Sequence, residues 1–248
     1  MHSKQPELMP EQASYSQWGE DILVFQFFGN RLDGVFFEAG AHHPTAISQT
    51  YLLELKGWSG VLVEALADNK PEFIRLRPRS KLVEKALGGP EHRGQLLDFS
   101  IPPDGNTAKA SLSICSDYQQ RPELTQKVEV TTITDVLDAA GIKRLDYLSL
   151  DIEGNELAAF KGLDFKRWQP RLILVEDHLY NLKLHRFLQS KHYRLVYRTG
   201  SNNWYVPSDT LFPMLTLKVK IELFRKLYLS MPFRKLRIIG KKLRGLPP

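Results

Sequence analysis

The chain has 248 residues, of which 42% are hydrophobic and 25% are charged, and these fractions are ordinary for a globular protein with one large domain or two small ones. Its single cysteine, Cys115, excludes an intramolecular disulfide and a multi-cysteine metal cluster. The chain has no run of about eighteen apolar residues, so a membrane-spanning helix is not expected. The N-terminus lacks the apolar core of a signal peptide, and a cytoplasmic location is therefore expected.

The positive charge is concentrated at the C-terminus. The formal net charge is +6, and residues 211–248 hold ten Lys or Arg against one acidic residue, a local charge of +9 that leaves −3 for residues 1–210. This asymmetry argues against a nucleic-acid-binding body and assigns any polyanionic partner to the tail.

In the first half of the chain, helical patterns alternate with short apolar runs. Apolar side chains at helical spacing predict helices over residues 12–28, 44–56 and 69–76. Apolar runs bounded by glycine or ending in an acid predict strands over residues 35–39, 60–64 and 81–87. Residues 88–130 are less regular, with a turn at 102–106, and are expected to cross the sheet edge or the mouth of a pocket.

The second half of the chain repeats this alternation of helices and strands. Its apolar patterns predict helices over residues 133–140, 157–163 and 179–191, and strands over 146–150, 171–176, 193–197 and 204–206. Strands that are apolar throughout and alternate with helices predict an α/β fold, with a mostly parallel sheet covered by helices on both faces. The connection at 198–203 is too short for a crossover, so the last two strands should pair antiparallel.

Glycine or acidic residues follow three of the strands. Ligands of open α/β sheets bind beyond the carboxyl ends of the strands, where Gly40, Asp151 and Glu153 are expected. Glu64 lies 24 residues after Gly40, a spacing that suits an acid accepting the hydroxyls of a ribose. The later glycines of G-x-G-x-x-G are missing here, which argues against NAD or a nucleoside triphosphate.

Four segments, residues 16–21, 37–41, 57–64 and 146–154, carry a resemblance to a known family. Together they resemble the FkbM family of S-adenosylmethionine-dependent methyltransferases, and the resemblance extends over residues 15–207. It implies the class I methyltransferase fold, a Rossmann-like sheet of seven strands with six parallel and the last antiparallel. Family members typically O-methylate hydroxyl groups of sugars, glycans or secondary metabolites.

The resemblance also implies a site for S-adenosylmethionine. Its cofactor-binding residues would be Ser16, Gln17, Glu38, Gly40, Ala41, Glu64, Ala86, Leu87 and Asp151. The segment His42-His43-Pro44 departs from the family pattern, which more often has a small or polar residue and then glycine. This departure leaves open a non-catalytic module of the same fold that binds the cofactor without turnover.

Methyl transfer to a hydroxyl needs a group that takes the hydroxyl proton. Asp151, Glu153 and His178 are the candidate bases, because they follow the fourth and fifth predicted strands at one edge of the sheet. A divalent metal site also remains an alternative, because four acids offer hard oxygen ligands: Asp151, Glu153, Glu176 and Asp177. The spacing of these acids is not diagnostic of a metal site.

Residues 211–248 predict a basic amphipathic tail. One apolar stripe follows spacings of four and three: Leu217, Ile221, Phe224, Tyr228 and Met231. A helix of this kind can lie on an anionic membrane surface. The stripe could instead pack on the body or in a dimer, and the charge could hold RNA or an acidic glycan.

The sequence therefore predicts an N-terminal helical segment (1–34), a methyltransferase domain (35–210) and a basic tail (211–248). The predicted function is S-adenosylmethionine-dependent O-methylation of a saccharide, glycan or lipid-linked glycan, with the tail holding the protein at the cytoplasmic face of a membrane. A nucleic-acid methyltransferase anchored by the tail is the other alternative. The acidic body and the lack of an Asn-Pro-Pro-Tyr motif count against it.

Overall fold

The computed structural model describes residues 13–66, 68–102, 105–112, 124–179 and 182–243. Gln12, where the first predicted helix starts, two residues of the predicted turn at 102–106 and Cys115 lie outside these ranges. None of the described helices is both long and apolar enough to cross a membrane.

Eleven strands are present in the described residues. They are β1 (Val35–Ala39), β2 (Ser59–Val63), β3 (Ser80–Val83), β4 (Ala86–Leu87), β5 (Leu96–Ile101), β6 (Ser111–Leu112), β7 (Leu124–Thr131), β8 (Tyr147–Leu150), β9 (Leu172–Glu176), β10 (Tyr193–Thr199) and β11 (Asn202–Pro207).

Eight α-helices are present in the same ranges. They are α1 (Glu20–Phe27), α2 (Tyr51–Leu55), α3 (Lys70–Leu76), α4 (Ile133–Ala139), α5 (Glu156–Lys161), α6 (Lys183–Ser190), α7 (Leu217–Phe224) and α8 (Met231–Leu243). A π-helical segment, Arg225–Leu229, joins α7 to α8.

The main sheet has seven strands in the order β10-β11-β9-β8-β1-β2-β3. The four pairings from β9 to β3 are parallel, whereas β11 is antiparallel to both β9 and β10. The predicted α/β class is confirmed, as is the antiparallel pairing of the last two strands. The sheet as a whole is mixed, because the short β10–β11 connection forces a reversal of direction.

Alternate residues of the sheet strands face two separate cores, which is why the strands are apolar throughout. Phe37 of β1 packs in a cluster with Phe160 of α5, and α4 and α6 contribute to the same cluster. Phe36 packs on the opposite face with Phe25 of α1 and with residues of α2 and α3. The carboxyl ends of the parallel strands are left uncovered between these two helical layers.

The predicted strand over 81–87 is wrong in one respect, because it divides between two sheets. β3 stays in the main sheet, whereas β4 pairs with Val130 and Thr131 of β7. β7 in turn pairs antiparallel with β5, and β5 with β6, so that a second sheet has the order β4-β7-β5-β6. The segment 88–130, expected as an irregular excursion, therefore contains a sheet of its own.

Two helices begin later than predicted because acidic side chains bind the preceding backbone. α1 starts at Glu20, and the Asp21 carboxylate accepts hydrogen bonds from the Ser14 hydroxyl (2.6 Å) and the Tyr15 N–H (2.7 Å). α2 starts at Tyr51 rather than at residue 44, since the residues before it fold around a buried carboxylate.

Candidate functional site

A cleft lies beyond the carboxyl ends of β1, β2 and β8, the edge at which open α/β sheets bind ligands. It encloses about 850 Å³ of space, part of it open to solvent. Of the residues expected to bind a cofactor, six line it: Gly40, Ala41, Glu64, Ala86, Leu87 and Asp151. The structure thus brings together side chains from four separate segments of the chain.

Gly40 makes the turn out of β1. Its φ is +75°, and a Cβ at this position would overlap the carbonyl oxygen of Asp151. The N–H groups of Gly40 and Ala41 both donate to the Val63 carbonyl, at 3.1 and 3.3 Å. Glycine is therefore required twice, by the backbone angle and by the close approach of the loop after β8.

Glu64 directly follows β2 and is half-buried in the cleft wall. One carboxylate oxygen accepts the His42 N–H at 2.8 Å and the other accepts the Leu66 N–H at 2.9 Å. Burial raises the pKa of Glu64, and the two backbone hydrogen bonds oppose that rise. A carboxylate has about four acceptor positions, so both oxygens can accept further hydrogen bonds from a ligand.

The segment 42–44, which departs from the family pattern, has internal roles in the loop. His42 supplies the N–H that binds Glu64. The Nδ1 atom of His43 accepts from the Thr45 and Ala46 N–H groups at 3.1 and 2.9 Å, so its ring stabilises the following turn. The Pro44 carbonyl accepts from Arg77 Nη1 at 3.0 Å. These contacts fasten the segment within the protein, and the loop presents Gly40 and Ala41 to the cleft.

An acidic cluster, defined as Asp151, Glu153 and Glu176, lies where the loop after β8 meets the end of β9. One carboxylate oxygen from each lies within 4.8 Å of the others, and Asp151 and Glu153 line the cleft. His178 Nε2 lies 3.6 Å from Glu176 Oε1, which places all three candidate bases at this position. Three neighbouring carboxylates can accept a proton, or they can bind a hard divalent cation.

Burial and neighbouring negative charge raise the pKa of two members of the acidic cluster, Glu153 and Asp151. Desolvation and the negative charges of Glu176 and Glu156 raise the pKa of Glu153 to about 7, while Lys109 opposes the rise. Asp151 is open to the cleft on one side, but the surrounding protein displaces much of its water. This desolvation, followed by the charges of Glu176 and Glu153, raises the pKa of Asp151 well above its ordinary value. Glu153 is therefore partly protonated near neutral pH.

Asp177, the fourth acid considered as a metal ligand, has other partners. Its carboxylate accepts the Leu179 N–H at 2.7 Å and the Asn203 side-chain amide at 3.3 Å. It therefore fastens the loop after β9 to β11 and stays apart from the acidic cluster.

Glu156 and Asn155 hold the loop after β8, and the sequence reasoning did not single them out. Glu156 Oε1 accepts the Ile152 and Gly154 N–H groups at 3.2 and 3.0 Å, and its burial raises its pKa to about 7. Asn155 is buried, and its amide donates to the Leu87 carbonyl at 2.7 Å. The sequence pattern that could have indicated Glu156 is an acidic residue in the first turn of a helix, where the helix N-terminus favours negative charge.

Glu38 does not line the cleft. It alternates with Phe37 and Ala39 along β1, so its side chain points to the opposite face of the sheet, where it is buried. There it accepts hydrogen bonds from the Gln49 N–H (2.8 Å) and the Thr50 hydroxyl. Its contacts fasten the loop before α2, and none of them is with the cleft.

Ser16 and Gln17 also lie outside the cleft lining. Ser16 donates its hydroxyl to Asp21 at 2.9 Å, and Gln17 is exposed. Their segment is tied to the β10–β11 hairpin, because Glu20 accepts hydrogen bonds from Thr199 (2.9 Å) and Asn202 (3.0 Å).

The second sheet and the connection between two of its strands also line the cleft. Phe99 lies on β5, Leu112 on β6, and Thr107 and Ala110 lie between these strands. The sequence identified residues 88–130 as the segment that shapes the pocket without specifying which side chains do so. The choice depends on the pairing of β5 with β6 and β7.

Comparison with known proteins identifies a matching family. A family model described as the methyltransferase FkbM domain matches residues 38–195, more than half of the chain. No curated protein matches the sequence significantly. Among solved structures, the chain is similar to a precorrin-6y C5,15-methyltransferase from Geobacter metallireducens GS-15, with 11% sequence identity and a TM-score of 0.38. That match covers 82% of this chain and 91% of the other chain.

Proposed function

The chain belongs to the FkbM family of methyltransferases, and from this membership we propose that it transfers a methyl group from S-adenosylmethionine to a hydroxyl of a saccharide, a glycan or a lipid-linked glycan. One observation carries the proposal. Glu64 lines the same cleft as Asp151 and Glu153, two members of the acidic cluster, so the expected ribose-binding acid and a proton acceptor face the same space.

The lining of the cleft suits this cofactor chemically. Glu64 offers acceptors for the two hydroxyls of a ribose, and Ala86 and Leu87 offer an apolar wall for an adenine ring. When bound, S-adenosylmethionine supplies an electrophilic methyl group on a sulfonium.

The residues of the chain hold the acceptor hydroxyl and take its proton. Glu153 suits the role of base, because a pKa of about 7 matches a neutral operating pH. Asp151 and Glu176 offer further acceptors beside it, which favours a ligand that presents several hydroxyls, as a saccharide does. His178 beside Glu176 provides a route by which the proton leaves the cluster.

Calorimetric titration with S-adenosylmethionine and S-adenosylhomocysteine tests the cofactor site. We expect micromolar binding by the wild-type protein and binding weaker by roughly tenfold to a hundredfold in Glu64→Gln, because a hydrogen bond to a charged group contributes about 1.5–3 kcal/mol. Glu84→Gln is the matched control. Glu84 follows β3 as Glu64 follows β2, but it pairs with Lys70 and does not line the cleft.

A folded wild-type protein that binds neither ligand would overturn the proposal. Binding of both ligands without methyl transfer to any saccharide or glycan fraction would support the non-catalytic module instead. Transfer to RNA that is abolished by salt would support the nucleic-acid alternative, although the acidic cluster would repel phosphates at the point of chemistry.

A further inference from the structure

The segment formed by α7, Arg225–Leu229 and α8 is fastened to the body by one apolar face. Leu223 and Leu227 are buried, and Leu227 packs in a cluster with Leu179 and Leu182 that Met231 partly covers. The Ser230 N–H donates to the Arg225 carbonyl at 2.8 Å, five residues back, which widens the helix at the junction. The segment therefore has a defined orientation on the protein surface.

A second apolar face of the same segment, here called the outer face, points away from the body. It consists of Leu217, Ile221, Phe224 and Tyr228, whose exposed fractions are 73%, 61%, 56% and 44%. The Phe224 and Tyr228 rings pack on each other with centroids 5.2 Å apart. Phe233 and Leu236 continue the exposed apolar surface into α8. Contiguous exposed apolar surface of this kind marks an interaction site.

Cationic side chains flank the outer face. Lys218 and Arg225 directly follow Leu217 and Phe224, and Lys220 precedes Ile221, so helical spacing places positive charge on both sides of the apolar stripe. Among the described residues, none of these three cations lies within ion-pair distance of an acid, whereas Lys226 pairs with Glu222 at 2.8 Å. Arg225 and Lys218 also attract Glu222, but this single acid leaves a net positive charge for an external partner.

We propose that the outer face docks on an anionic lipid bilayer, with α7 and α8 lying in the plane of the interface. Leu217, Ile221, Phe224 and Tyr228 would enter the boundary between headgroups and acyl chains, and the flanking cations would contact lipid phosphates. A second copy of the chain is a poorer partner, because it would bring two tails of +9 together. A nucleic acid is also poorer, since a central apolar stripe offers nothing to its phosphates.

Flotation of the full-length protein with vesicles tests this proposal. We expect binding to vesicles of phosphatidylcholine with phosphatidylglycerol, weaker binding at high salt, and little binding to phosphatidylcholine alone. Ile221→Ser and Phe224→Ser should each lower the affinity on the order of tenfold, because each removes a large apolar side chain from the interface. Ile74→Ser is the matched control. Ile74 is 64% exposed on α3, and its loss should change nothing.

Three outcomes would overturn the proposal. These are no flotation with anionic vesicles, unchanged flotation of both outer-face variants, or a lipid-free dimer in light scattering that Phe224→Ser dissociates. Calorimetric binding of S-adenosylmethionine, measured on the same variants, should stay at the wild-type level because the outer face lies outside the cleft lining. A failure of docking is thereby distinguishable from a failure of the proposed enzyme activity.

Discussion

At the scale of single residues, two things decide which acid reaches the cleft: the face of the sheet on which its side chain lies, and its distance from the end of the strand. Glu38 lies within β1 and points to the face opposite Phe37, where it is buried among donors. Glu64 lies one residue beyond β2, where the chain leaves the sheet and the side chain can face the cleft. Two glutamates of similar local sequence context therefore have different environments.

Gly40→Ala should destabilise the protein strongly and remove cofactor binding. A methyl group at residue 40 would overlap the Asp151 carbonyl, and a φ of +75° is unfavourable for alanine by about 1–2 kcal/mol before any clash is counted. We expect a loss of about 3 kcal/mol or more in urea unfolding.

Gly141→Ala is the control for this prediction. Gly141 has a similar φ of +69°, and nothing lies within 4 Å of a Cβ built there, so its substitution isolates the cost of the backbone angle. Equal losses of stability in the two variants would contradict the role assigned to the close approach of Gly40 and Asp151.

At the scale of elements, the loop between β1 and α2 depends on one arginine from the end of α3. Arg77 is fully buried, and it donates to Glu54 (2.7 Å), the Pro44 carbonyl (3.0 Å) and Thr50 (2.7 Å). Glu38 accepts from the other side of the same loop. This network explains how a segment that looks helical in sequence stays in an irregular conformation that supports one wall of the cleft.

Arg77→Met should destabilise the protein by about 3–5 kcal/mol, because it leaves the carboxylates of Glu38 and Glu54 buried without a cation. Arg75→Met, on the exposed face of α3, should stay within about 0.5 kcal/mol of the wild type in the same urea unfolding measurement. Adding Glu54→Gln to Arg77→Met should recover part of the loss. An absence of recovery would show that lost packing, and not charge, is the cause.

At the scale of the whole molecule, acidic side chains are concentrated at the cleft and cationic side chains in residues 211–248. Glu153 and Glu156 each have a pKa raised to about 7, which means that the folded state holds their protons more tightly than the unfolded chain does. Stability linked to such groups is present at low pH and is lost as the pH rises from the unfolded value of 4.5 through about 7.

The free energy of unfolding should therefore fall between pH 5 and pH 8, and Glu153→Gln should reduce that fall. At pH 8 we expect the variant to be more stable than the wild type by about 1–2 kcal/mol. This is less than about 1.4 kcal/mol per pKa unit would give, because solvent screens a partly exposed carboxylate. Glu72→Gln, at an exposed position of α3, should leave the pH dependence unchanged. A Glu153→Gln variant with the wild-type pH dependence would refute this account.

The sequence alone determined the alternation of helices and strands along the chain and the positions of Gly40, Glu64 and Asp151 at strand ends. Hydrophobic periodicity and glycine placement are local properties, and strand ends in an α/β fold meet at one edge. The tertiary structure decided what depends on distant partners: the pairing of β4 with β7, the meeting of Glu176 with Asp151, and the burial of Glu38. It also decided that the predicted stripe is exposed from Leu217 to Tyr228, whereas its last member, Met231, packs against the body beside Leu227. Two apolar faces of one helix look alike in sequence, and contact with Leu179 and Leu182 selects between them.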